Sequence, residues 1–226
     1  MKYYSRMILL FFPNARNLAE ILTSNVARFF SNHGTVLVAA EVYNDIAEWS
    51  SLPKSTTQVL SEIIASGIVQ ESYQLYVHES LGLDSFSSIA LLAITLAESV
   101  AERLLDPITP LSSKILETIL FLLNSDLSSR TFNFWISFAE ASADIDDGHR
   151  GDQWLQQVLP ILLEKSSWRE DVDDEEWSGY RTDVVEVFEG ICEVLEYETI
   201  NSAVTSWLGA AADREHGQEK LVVYHF

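Results

Sequence analysis

Arg130-Thr-Phe-Asn-Phe-Trp-Ile-Ser-Phe138 decides how this chain reads. Phe132, Trp135 and Phe138 fall three residues apart with Phe134 beside them, so an apolar stripe runs down one side of a helix. Downstream, Trp154-Leu-Gln-Gln-Val-Leu159 and Tyr180-Arg-Thr-Asp-Val-Val-Glu-Val-Phe188 repeat the pattern. Between them lies an acidic spacer over residues 168–177, bracketed by Trp168 and Trp177. The stretch from Arg130 to Leu208 is helix, helix, acidic spacer, helix, and each helix has a face that must leave water by stacking on another. Phe132, Phe134, Trp135, Phe138 and Phe188 are the expected structural core.

Outward from this stretch the same period recurs. Leu18, Ile21, Leu22, Val26, Phe29 and Phe30 form a stripe ended by Asn32-His-Gly34. Val36, Ala39, Ala40, Tyr43, Ile46 and Ala47 form the next. Val59, Leu60, Ile63 and Ile64 predict a shorter helix stopping near Gly67, and residues 68–83 are expected to be helical but less regular. Asp84 is placed to cap a helix carrying Phe86, Ile89, Ala93, Leu96, Ala97, Val100 and Leu104.

Thr109 followed by Pro110 reads as a cap and first-turn pair for a helix over 111–123. Ser125 and Asp126 start the helix of the opening stretch, and residues 144–152 are expected as an acidic loop. Pro160 is expected to kink a helix over 154–165. Residues 180–195 form the last long helix, with 199–208 a short addition.

No stretch alternates apolar and polar residues between turn signals, so no sheet is expected. The fold class is all-α: a HEAT-like α-solenoid of stacked antiparallel helix pairs. Three regions follow: partial first helices over 1–34, repeats over 35–208, and a divergent, disordered tail over 209–226.

The chain's 226 residues are 47% hydrophobic and 11% aromatic, enough to bury a sizeable core. A formal net charge of −20 with only 14 Lys and Arg argues against nucleic acid and for basic protein segments as partners. Cys192 is the only cysteine; it allows no internal disulfide and sits among Val187, Phe188, Ile191 and Leu195 as a small apolar residue. The apolar run near Met1 is cut by Pro13 before it reaches signal-peptide length, and no segment is expected to span a membrane.

Two acidic groups are the candidate binding residues. Asp183, Glu186, Glu189, Glu193 and Glu196 recur at three- and four-residue steps, with Arg181 nearby, and form one stripe opposite Val184, Phe188, Ile191 and Leu195. A solvated helix face is the plain reading, and a surface receiving lysines and arginines is the sharper one. Asp171, Asp173, Asp174, Glu175 and Glu176, between Trp168 and Trp177, are loop contact candidates in which the tryptophans pin the loop or anchor a partner.

Asp144, Asp146, Asp147, His149 and Asp152 fail the calcium-loop pattern, because Gly148 comes one place too early, and no metal or other cofactor is expected. The five histidines are scattered, and neither a nucleophile elbow nor a phosphate-cradling glycine loop occurs. No catalytic residue is assigned, and an enzyme is not expected.

Thr131-Phe-Asn-Phe-Trp135 resembles a helix in the middle portion of importin-β-like nuclear transport receptors (karyopherin-β), in the transportin-SR and importin-thirteen branch. Other elements fall in the same order: Ile89-Ala-Leu-Leu-Ala-Ile-Thr-Leu-Ala-Glu98, Leu104-Leu-Asp106, the 154–165 helix, Asp173-Asp-Glu-Glu-Trp177 and Tyr180-Arg-Thr-Asp183. The resemblance covers residues 35–208 and is most specific over 130–208.

The resemblance implies an internal segment of a receptor working in cytoplasm and nucleus. Its curved acidic surface would hold basic cargo, and the full-length receptor would also bind the Ran GTPase and Phe-Gly nucleoporins. Arg181 is the only arginine in its helix, so the importin-thirteen side is the better comparison than an arginine-rich one suited to phosphorylated cargo. The alternative is a HEAT-like scaffold subunit that docks a permanent protein partner and has no transport role.

Overall fold

Stripes spaced three and four residues apart can leave water only when helices pack face to face. The computed structural model describes residue 40, residues 54–105, 108–144, 151–166 and 174–215, and among them every regular element is a helix. The all-α expectation is met. The chain divides into two compact units, Met1–Val100 with Thr109–Leu122, and Ala101–Ile108 with Leu123–Phe226. The helices expected over 1–34 lie outside the described residues, and of the stripe that follows only Ala40, buried and helical, is described.

The first unit begins with α1 (Lys54–Ala65) and α2 (Ile68–Val77), which pack on each other. Leu60 and Ile64 of the expected stripe are buried. Gly67 joins the two helices at φ 98, a left-handed conformation that glycine adopts without steric penalty. Helix α3 spans Leu83–Leu105 and α4 spans Pro110–Leu123.

Aromatic rings fix α2 within this unit. Tyr73 lies 5.4 Å from Phe86 and 5.2 Å from Phe121, and Tyr76 stacks on Phe86 at 5.6 Å. Gln70 Nε2 donates to Thr118 Oγ1 at 3.2 Å.

Helix α2 stops well short of the expected boundary at 83. The amide of Glu79 donates to the Tyr76 carbonyl and that of Ser80 to the Leu75 carbonyl, while Glu79 takes φ 56. This pair of bonds around a left-handed residue closes a helix C-terminus, and glycine is the residue that fits there best. Glu79→Gly is therefore expected to stabilise the protein by about 0.5–1 kcal/mol. Chemical denaturation read by circular dichroism checks it.

Helix α3 starts at Leu83, which puts Asp84 in the first turn instead of at the cap. Its carboxylate still faces the positive end of the helix dipole. The window Leu83–Ala101 has a mean hydropathy of 1.4 and is long and apolar enough to cross a membrane, contrary to the expectation from sequence, and half of it is buried inside the protein. Buried Phe86, Ile89, Ala93, Leu96 and Ala97 account for that apolarity as core packing.

Thr109 caps α4 as expected. Its Oγ1 accepts the Ser112 amide at 3.0 Å, and Pro110 is the first helical residue.

In the second unit, Ser125 Oγ accepts the Leu127 amide at 3.1 Å and opens a turn. The chain then makes a short 3-10 helix over Ser128–Thr131 before α5 (Phe132–Ala143) begins. The expected single helix from Ser125 is interrupted because the Thr131 hydroxyl donates to the Ser128 carbonyl three residues back, at 2.8 Å.

Helix α6 spans Asp152–Lys165, α7 spans Asp174–Val194 and α8 spans Tyr197–Glu215. Helix α5 packs on α7, α6 packs on α8, and α7 also touches α6. Phe134, Trp135, Phe138, Trp154, Leu155, Val158, Leu159, Leu162, Val187 and Ile191 fill the core between them. Pro160 lies inside α6 on its exposed side, where the Gln156 carbonyl that its missing N–H leaves without a helical donor is open to solvent.

Two further boundaries also differ from the sequence reading. Asp174, Glu175, Glu176 and Trp177 are the first turn of α7 and not a loop, because consecutive acidic residues are stabilised at a helix N-terminus. Helix α8 continues past Leu208 to Glu215, so residues 209–215 are helical where a disordered tail was expected. Ala210, Ala211 and Ala212 have the highest helix propensity of any residue type. Residues 216–226 lie outside the described residues.

Candidate binding surface

The surface is built on α7. At 100° per residue, Val184, Val187 and Ile191 fall on one side of the helix, and all three are buried. Gly190 lies on the flank towards α5, where an added Cβ would stand 3.9 Å from the Ala139 Cβ. Turned away from that packed face, Asp183, Glu186, Glu189 and Glu193 are exposed, and Glu196 is exposed just beyond the helix end. The helical period places Glu186, Glu189 and Glu193 within about 60° of one another. Glu186, Glu189 and Glu193 therefore share one exposed face, with Asp183 on its flank and Glu196 past the helix end.

Neighbouring like charges on one helix face cost about 0.2–0.5 kcal/mol per pair. The cost is aggravated at the C-terminal end of α7, where the helix dipole is negative and the last turn holds no basic residue. Glu189, Glu193 and Glu196 crowd that end. An arriving cation relieves both penalties, whereas a phosphate or other anion would add to them. Arg181 is half-buried and already engaged within the chain, which leaves it less available to a partner than the carboxylates.

Of the tryptophan-bracketed acidic candidates, Asp174, Glu175 and Glu176 are described only as helical positions of α7. Trp168, Asp171 and Asp173 lie outside the described residues. Trp177 is only 4% exposed and stacks on Tyr180 at 5.5 Å, so it is a core residue and not a surface anchor. Tyr180 in turn meets the Phe132 ring at 5.5 Å, and its hydroxyl is 3.0 Å from Ser128 Oγ. Trp177, Tyr180 and Phe132 fasten the N-terminal part of α7 to the base of α5 and so set the direction in which the stripe runs. Of the expected core, Phe132, Phe134, Trp135 and Phe138 are buried, and Phe188 is half-buried at the edge of the packed face.

Cys192 is half-buried, and burial first and the Glu189 charge second push its thiol above the ordinary range. At pH 7 it stays protonated, which suits packing and opposes nucleophilic chemistry. Alkylation by iodoacetamide is expected to be slower than for a free thiol at pH 7 to 8, and quenched-flow mass spectrometry measures it. In the acidic loop, Asp144 and Asp152 are the described ends and residues 145–150 lie outside the described residues. Among the described residues no three His, Cys, Asp or Glu side chains gather to hold a metal ion.

Sequence reasoning passed over Tyr197, which is 75% exposed at the start of α8 between Glu196 and Glu198. Its flanking glutamates were the available signal. No family model matches the chain, and neither a curated protein nor a solved structure matches it.

Proposed function

We propose that this chain is a helical protein-binding segment that holds a basic stretch of another protein along α7. In its fuller form it is a segment of an importin-β-like nuclear transport receptor working in cytoplasm and nucleus. The observation that carries the basic-partner reading is the exposure of Glu186, Glu189 and Glu193 on the side of α7 away from its packed face, with Asp183 exposed on its flank and Glu196 exposed just past its end. Helix α5 meeting α7, and α6 meeting α8, support stacked helix pairs of the HEAT-like kind. The transport role rests on the sequence resemblance over residues 130–208, and with it the binding of Ran and Phe-Gly nucleoporins by a longer receptor.

Reversing Glu186, Glu189 and Glu193 to lysine exchanges attraction for repulsion at three sites. At a few tenths to one kcal/mol per exposed ion pair, the expected loss is about 2–3 kcal/mol, or roughly 30- to 150-fold in affinity for a basic partner. Capture from nuclear extract by the wild-type and reversed chains, with and without GTP-loaded Ran, tests both levels of the proposal. Loss of basic proteins from the reversed chain supports the acidic surface, and release by Ran-GTP supports the transport role. Equal capture by both chains refutes the surface, and capture indifferent to nucleotide points to the scaffold alternative.

A further inference from the structure

Helix α8 is packed on one side only and incompletely even there. None of residues 197–210 is buried, although Ile200, Ala203, Val204 and Trp207 face inward enough to be half-covered. Tyr197, Ile200, Val204 and Leu208 follow one another at three- and four-residue steps, which makes a continuous apolar stripe. It runs from half-covered to open, with Tyr197 75% and Leu208 40% exposed. A stripe of this spacing matches the face of a second amphipathic helix.

The charge around the stripe selects the partner. Glu193, Glu196 and Glu198 are exposed about its N-terminal end, beside the negative C-terminus of α7 and its last turn without a basic residue. A second copy of this chain, at net charge −20, would bring more negative charge to that end. A lysine or arginine there is favoured by the carboxylates and by the Tyr197 ring, while the negative end of α7 and the positive end of α8 offset each other.

From these placements we infer that this half-open flank of α8 docks an amphipathic helix of another protein, whose apolar face covers Leu208 and the open side of Val204 and whose basic end lies at Glu193, Glu196, Tyr197 and Glu198. The inference rests on the reading of the chain as a binder of basic partners and adds the partner's form. It makes α8 a second contact element, next to the acidic face of α7.

Synthetic peptides of about 18 residues, long enough at 1.5 Å per residue to run beside the stripe, test it. One carries a leucine stripe at helical spacing and a lysine-rich end. A second has the same composition with its leucines scrambled out of register, and a third has glutamates replacing the lysines. Fluorescence anisotropy with the full chain is expected to show the first peptide binding at least about fivefold more tightly than the scrambled one, and no binding of the third. Tyr197→Gln and Leu208→Gln, both at exposed positions and with their fold checked by circular dichroism, are each expected to weaken it at least about fivefold.

Equal binding of the scrambled peptide would overturn the helix-docking inference and leave the basic-partner reading standing. Absence of binding by both lysine peptides would overturn both. Binding that emerges only after residues 216–226 are deleted, or self-association of the chain that Leu208→Gln abolishes, would overturn the inference by giving the stripe to the chain itself.

Discussion

Trp135→Ala is expected to lower the unfolding free energy of the second unit by about 3–5 kcal/mol, a large share of what a domain of this size possesses. Trp135 is wholly buried and meets Phe134 edge-on at 5.0 Å and Phe138 at 5.7 Å. Deleting the indole removes its apolar burial and leaves a cavity between rings that sit on a helix and cannot close over it. Trp135→Phe should cost far less, under about 1.5 kcal/mol, for a reason specific to this site. The Trp135 Nε1–H makes no hydrogen bond within the chain, so the smaller ring also removes a buried donor whose desolvation is uncompensated. Urea denaturation of the three chains, followed by circular dichroism, measures both differences. Equal losses for alanine and phenylalanine would show that the indole N–H contributes more than its ring.

Gly151→Ala is expected to cost about 1–3 kcal/mol by overpacking. Gly151 precedes α6 with φ −87, a conformation open to any residue, so the requirement for glycine there is steric. An added methyl would overlap Ser142 Oγ, stand 2.9 Å from the Ser142 Cβ and 3.4 Å from the Phe138 ring. Ser142 is itself buried, with its hydroxyl donating to the Phe138 carbonyl at 2.8 Å, and rotation of the hydroxyl alone does not free its Cβ. Ser142→Gly removes both obstructing atoms. The double variant Gly151→Ala with Ser142→Gly should therefore be more stable than the sum of the single effects, by about 1 kcal/mol or more in a double-mutant cycle. Strict additivity would mean that the clash is relieved elsewhere.

These two sites differ in how plainly the sequence announced them. Trp135 was legible because Phe132, Trp135 and Phe138 recur at a period that only a helix aligns, and the buried face of α5 follows. Gly151 was not, since its neighbour Ser142 lies nine residues earlier on α5 and the contact exists only once α5 and α6 have folded. The Thr109-Pro110 start of α4 was legible for the opposite reason: capping is settled within one turn, by bonds between residues three apart.

Asp174, Glu175 and Glu176 misled, because acidic residues mark a solvated loop and a helix N-terminus equally well. Only the burial of Trp177 against Tyr180 decides for the helix. Glu79 gave no warning of its left-handed backbone, since the usual marker, glycine, stands three residues later at Gly82. The shared face of Glu186, Glu189 and Glu193 was legible because helical spacing sets them opposite Val184, Val187 and Ile191, which are buried. Tyr197 escaped notice because exposure of an aromatic residue depends on where the packing stops.

The central claim is that the α7 carboxylates attract basic protein segments. Isothermal titration of the wild-type chain with a lysine- and arginine-rich peptide, at low and at high salt, tests it most directly, with the Glu186, Glu189 and Glu193 to lysine variant alongside. The account predicts measurable binding that weakens steeply as salt rises and is lost in the variant. Binding of equal strength to both chains, or unchanged between the two salt conditions, would contradict it.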